Sequence, residues 1–117
     1  MRFLLLCCAS EAAWRKLPDA QRDEIMNRYG LLIQELKSKG LLLGGGKLDA
    51  TATAVTVRQV DAKPTLIDGP FAETKEQLGG YHLIECRDRE EAVSIAMRFP
   101  TLPVGGVVEV RPLLYSE

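Results

Sequence analysis

The chain carries a single histidine, His82, and a short way before it an acidic turn, Asp68-Gly69-Pro70-Phe71. An imidazole titrates near neutrality, so His82 suits proton transfer, although a histidine on a strand can equally be a packed ring. Asp68 also has two readings. In one it bonds nearby backbone amides while Gly69 takes positive φ and Pro70 fixes the backbone, which makes a plain turn. In the other the rigid turn holds the Asp68 carboxylate as a base or hydrogen-bond acceptor at the mouth of a cleft, with Phe71 as an apolar wall. The two readings are compatible.

Around this pair stand groups able to hold a ligand. Glu73, Lys75 and Glu76 share a charged loop, where ion pairs or plain solvation compete with the attraction of Lys75 for an anionic substrate. Tyr81 adjoins His82. Glu109 and Arg111 alternate onto one strand face with Val107, to line a pocket or simply to pair. Gly44 and Gly45 either allow close packing against a helix or leave room for a ligand. Tyr29 reads as core, its hydroxyl at most reaching the cleft, and Arg58 as a solvated strand end. The candidate set is therefore Asp68 and His82 for catalysis, with Gly45, Phe71, Lys75, Tyr81, Glu109 and Arg111 as ligand contacts.

Composition removes several functions. With 15 Lys and Arg against 16 Asp and Glu, no net field draws the chain to nucleic acid. Cys7, Cys8 and Cys86 are odd in number and lack CxxC spacing, so they read as buried thiols rather than a disulfide framework or a metal site. No cofactor is expected; a haem would have to take His82 as its axial ligand. The apolar run Phe3 to Cys8 is far shorter than the ~20 residues that cross a bilayer and lacks a signal peptide's flanks, so a cytoplasmic protein without a membrane partner is expected. A length of 117 residues at 46% hydrophobic content suits one folded domain over residues 1–117.

The elements that must position these residues follow from periodicity. Residues 3–8 read as a central strand buried on both faces. Pro18 and Asp19 open a helix over 18–39 with Ile25, Met26, Tyr29, Leu32, Ile33 and Leu36 at helical spacing, closed by Gly40. Leu41-Leu42-Leu43 reads as a short buried strand running into Gly44-Gly45-Gly46. A hairpin pairs 53–58 with 65–67 across a turn at Asp61-Ala62-Lys63, with Pro64 at an edge or ladder end. Residues 80–86 form a strand with His82, Ile84 and Cys86 on one face and Tyr81, Leu83 and Glu85 on the other. Asp88 and Glu91 make a capping box for a second helix that Pro100 ends, and 107–111 is the last strand.

Apart from the hairpin the order is βαββαβ, the ferredoxin-like α+β arrangement. Two helices cannot cover both sheet faces, so a face-to-face homodimer is expected.

The segment from Asp68-Gly69-Pro70-Phe71-Ala72-Glu73-Thr74-Lys75 through Gly79-Gly80-Tyr81 resembles the signature of the DGPF branch of the YCII-related family. The likeness extends over most of the chain, from the apolar first strand through the Trp14 region and Leu43-Gly44-Gly45 to Val108-Glu109-Val110-Arg111-Pro112. It implies a ferredoxin-like dimeric α/β barrel with a cleft near the subunit interface, and no particular reaction. The histidine and aspartate pair attributed to more distant members places its histidine on the first helix, where this sequence has none.

Two functions follow as expectations. One is the binding of a small, anionic metabolite, of unknown identity, with cofactor-independent acid/base catalysis. The alternative, which rests on the resemblance, is a non-catalytic regulatory or binding module linked to an extracytoplasmic-function sigma factor system; no basic recognition helix accompanies it.

Overall fold

A computed structural model describes the whole chain, Met1 to Glu117. Its first strand, β1 (Arg2–Ala9), is followed by two helices, α1 (Glu11–Lys16) and α2 (Asp19–Ser38), and then β2 (Leu42–Lys47). A hairpin of β3 (Val55–Val60) and β4 (Lys63–Asp68) precedes β5 (Gln77–Glu85), α3 (Arg89–Ala96) and β6 (Val107–Pro112). The main sheet is antiparallel in the order β2-β5-β1-β6, the ferredoxin-like arrangement, and the hairpin forms a separate two-stranded sheet.

The sheet register sorts every strand residue onto one of two faces. Leu5 stands opposite His82 and Val110, and Phe3 opposite Ile84. These residues face the helices and, with Leu32 and Leu36 of α2 and Ile95 of α3, form the core. The long helix divides its apolar residues between two stripes: Ile25, Leu32 and Leu36 are buried, whereas Met26, Tyr29 and Ile33 flank them. Its end is a Schellman motif, with the Gly40 N–H donating to the Lys37 carbonyl and the Leu41 N–H to the Leu36 carbonyl while Gly40 takes a φ of 71°.

Several expectations need correction. The first strand is central, but only Phe3 and Leu5 on the helix side are fully buried; Leu4 and Leu6 on the opposite face are half-buried because nothing in one chain covers them. The strand expected at residues 41–43 instead runs through the glycines at the sheet edge, and Leu43 is 44% exposed because the register slips at it. Thr53 belongs to a short 3-10 turn before the hairpin, whose arms begin at Val55 and Lys63. Asp61 and Ala62 both have positive φ, the geometry of a tight hairpin turn. The Asp88 carboxylate accepts from the Glu91 N–H at 2.9 Å, while Glu91 returns the contact one residue early, to the Arg87 N–H at 2.8 Å. Helix α1, absent from the expected order, is too short for periodicity to reveal and buries no residue; Ser10 caps it by accepting from Ala13 N–H.

Candidate functional site

His82 enters the space between sheet and helices because β5 turns Gly80, His82 and Ile84 toward the helix side, before the register shift that sends Leu78 to the opposite face. Only 6% of its surface is exposed. The ring packs against Tyr29 and Phe99, each centroid 5.7 Å away, and Tyr29 meets Phe99 edge-on at 84°. The Tyr29 hydroxyl lies 2.5 Å from His82 Nε2 and 3.7 Å from Cys7 Sγ. Burial pulls the imidazole pKa down and pushes those of the Tyr29 hydroxyl and the Cys7 thiol up. All three groups are therefore neutral at pH 7.

The other imidazole nitrogen explains one glycine. Gly45 pairs with His82 across the strands, and a Cβ there would stand 2.6 Å from Nδ1 and 2.5 Å from the Tyr81 carbonyl oxygen. Nδ1 makes no hydrogen bond inside the chain, and no side-chain nitrogen or oxygen is sealed off without a partner, so Nδ1 stays in contact with the adjoining cavity.

That cavity has a volume of about 730 Å³. It is lined by Cys7, Tyr29 and His82, by the glycines of β2 and by Trp14 of α1. Arg15, Lys37 and Lys47, all exposed, line it from three different elements. A neighbouring cavity of about 560 Å³ shares Ala9, Ser10, Trp14 and Thr101 with the first. The first cavity thus has a neutral imidazole and both cationic and acidic side chains among its lining residues.

The expected site residues are only partly brought together. His82 and Gly45 line the larger cavity and Lys75 the smaller. Asp68 ends β4 on the separate hairpin, exposed and outside both linings, and Phe71 beyond it is 79% exposed. Tyr81 points to the open sheet face opposite His82, where its ring packs 3.7 Å from the place a Gly46 Cβ would take. Glu109 and Arg111 share that open face and pair with each other at 2.6 Å. Sequence reasoning left out Cys7, Trp14, Arg15, Lys37 and Lys47 as site residues. For Lys37 a signal existed: Met26, Tyr29, Ile33 and Lys37 recur at helical spacing, and all four line the cavity.

A family model described as "YCII-related domain" matches residues 1–115. An uncharacterised protein of Rhizobium meliloti (strain 1021) is 35% identical over 117 residues, covering 97% of this chain and 92% of that protein. Among solved structures, 5-chloro-2-hydroxyhydroquinone dehydrochlorinase from Burkholderia phenoliruptrix AC1100, in complex with 2,5-dihydroxybenzoquinone, superposes with a TM-score of 0.58. The superposition covers 99% of this chain and 96% of that one at 14% identity, a likeness of fold.

Proposed function

The chain belongs to the YCII-related domain family, and from that premise we propose that it binds a small metabolite in the cavity under α2 and acts on it by cofactor-independent acid/base catalysis through His82. The observation that carries the reading is the state of His82: buried, held neutral by that burial, tied at Nε2 to Tyr29, with Nδ1 left to the cavity. In the order Nε2–H to Tyr29 Oη and Tyr29 O–H to Cys7 Sγ, the lone pair of Nδ1 faces the ligand and accepts its proton. A dehydrochlorinase that binds a small oxygenated ring on the same fold supports the reading by analogy alone.

A second copy of the chain completes this proposal. The face of the sheet away from the helices presents Leu78, Tyr81 and Val107, at 40%, 40% and 44% exposure, beside half-buried Leu4, Leu6 and Leu83. These apolar side chains share the face with the Glu109–Arg111 ion pair, and an isologous contact between two such faces would bury them while leaving that pair matched.

The test is a thermal-shift screen of a metabolite panel on the wild type, His82→Phe and Asp68→Asn. A ligand at a hundredfold its dissociation constant adds about 2.7 kcal/mol. The expected result is a shift retained in Asp68→Asn and lost in His82→Phe. A shift lost only in Asp68→Asn moves the site to the Asp68-Gly69-Pro70-Phe71 turn, and no shift with any compound leaves the non-catalytic binding module as the better reading.

A further inference from the structure

The geometry points to a ligand class for the larger cavity: a small organic acid whose anionic group meets Arg15, Lys37 and Lys47 while its body lies over Tyr29 and His82. The inference rests on the cavity being a ligand site and adds what the ligand must carry.

The charges around the cavity are unequally committed. Two acidic side chains, Glu11 and Asp49, also line it. The Glu11 carboxylate is occupied by one residue, accepting from the Thr51 N–H at 2.9 Å and from the Thr51 hydroxyl at 3.1 Å. Asp49 accepts from the Ala50 N–H at 2.7 Å. No ion pair within the chain engages Arg15, Lys37 or Lys47; among the other cations Lys16, Arg58, Lys63, Lys75 and Arg89 are also unpaired, but none of these five lines this cavity. Both carboxylates accept from neutral donors of the chain and keep their charge, so the lining holds three cations against two anions, and none of the three cations has a carboxylate partner.

Their origins matter as much as their number. Arg15 comes from α1, Lys37 from the last turn of α2 and Lys47 from the end of β2, so the fold gathers three positive charges at one concave place from positions far apart in sequence. Such a place attracts an anion before contact, and the planar fork of Arg15 suits a carboxylate. Other lining residues supply the other half of the match. Tyr29 and Ile33 offer apolar surface, and the neutral imidazole suits a hydroxyl or enol on the same molecule without competing for its charge.

Because the chain has one histidine, the ring protons of His82 are an unambiguous NMR reporter for the cavity. The probes are salicylate and its neutral counterpart salicylamide, followed by further acids matched with their amides, titrated into the wild type and into Arg15→Gln/Lys37→Gln/Lys47→Gln. Salicylate is expected to shift the His82 signals and to bind about tenfold more tightly than the amide, the sum of three exposed charge contacts. In the triple variant, whose fold is checked by circular dichroism, the two should bind alike. Equal binding of acid and amide to the wild type, or a preference that survives the triple substitution, overturns the anionic class while the cavity remains a ligand site. If no acid or amide disturbs His82, the ligand site and its anionic class fall together.

Discussion

The hydroxyl of Tyr29 and Nε2 of His82 approach to 2.5 Å, joining the middle of the long helix to the centre of the sheet. Burial keeps each group neutral, and the contact gives the imidazole one fixed nitrogen and one free one. It has consequences for stability, protonation and rotamer that can be measured separately.

Tyr29→Phe should keep the ring packing against Phe99 but leave Nε2 without its hydroxyl partner. The expected loss is about 1–3 kcal/mol, the usual cost of an unsatisfied buried polar group. Urea unfolding of the variant checks it, with His82→Phe/Tyr29→Phe as the control in which the orphaned nitrogen is gone and part of the loss should be recovered. A single variant as stable as the wild type would contradict a buried, consequential bond.

The depressed pKa of His82 sets a direction for the pH dependence of stability. The unfolded imidazole takes up a proton near pH 6.5, while the buried one resists until a lower pH. Stability from this residue is thus complete above about pH 6.5 and falls as pH drops toward the folded value, by at most about 1.4 kcal/mol per pH unit. His82→Phe should flatten the melting temperature between pH 5 and 7. Glu35 acts in a separate window: hydrogen bonds from Arg98 first and then Lys39 hold its pKa at about 2, so its contribution is lost only as pH falls below the ordinary carboxylate range. Parallel pH profiles for wild type and His82→Phe would show that the imidazole titrates alike in both states.

Gly45 is required by its neighbour rather than by its own backbone. A methyl group there would press on Nδ1 and on the Tyr81 carbonyl, so Gly45→Ala should cost about 1–3 kcal/mol as an overpacked site and move the His82 ring signals. At Gly44 nothing lies within 4 Å of the Cβ position, and Gly44→Ala should be neutral or slightly stabilising. Equal tolerance of the two substitutions would mean that the edge strand shifts at Gly45, away from both the imidazole and the Tyr81 carbonyl.

The open sheet face supplies the fourth prediction. Light scattering coupled to size exclusion should give twice the mass of the 12.9 kDa chain. Leu6→Lys, placed in the middle of that face, should give the single-chain mass with unchanged circular dichroism. A wild-type protein that runs as a monomer removes the proposed dimer and leaves the cavity proposal standing, since all its lining residues belong to one chain.

Much of the fold was legible from spacing because each element buries one face. The alternation from Gly80 to Cys86 places His82, Ile84 and Cys86 together on one face, the sheet register agrees, and that face is the core side. Gly40 after Lys39 marks the end of the long helix because the left-handed cap geometry favours glycine. Helix α1 was not legible, since six residues provide too few turns to repeat and Trp14 alone shows no period.

The candidate site divides along the same line. Sequence by itself determined that the chain would build a ferredoxin-like sheet and that its one imidazole would share a strand face with Ile84 and Cys86. Each follows from a local rule of period, turn or cap. Tertiary structure alone decided that Asp68 ends an exposed hairpin outside the cavity, that Tyr29 rather than any carboxylate meets His82, and that Arg15, Lys37 and Lys47 converge beside them. A cavity arises where elements distant in sequence approach, and periodicity reports which face a residue takes within its own element but not which other element comes to meet it.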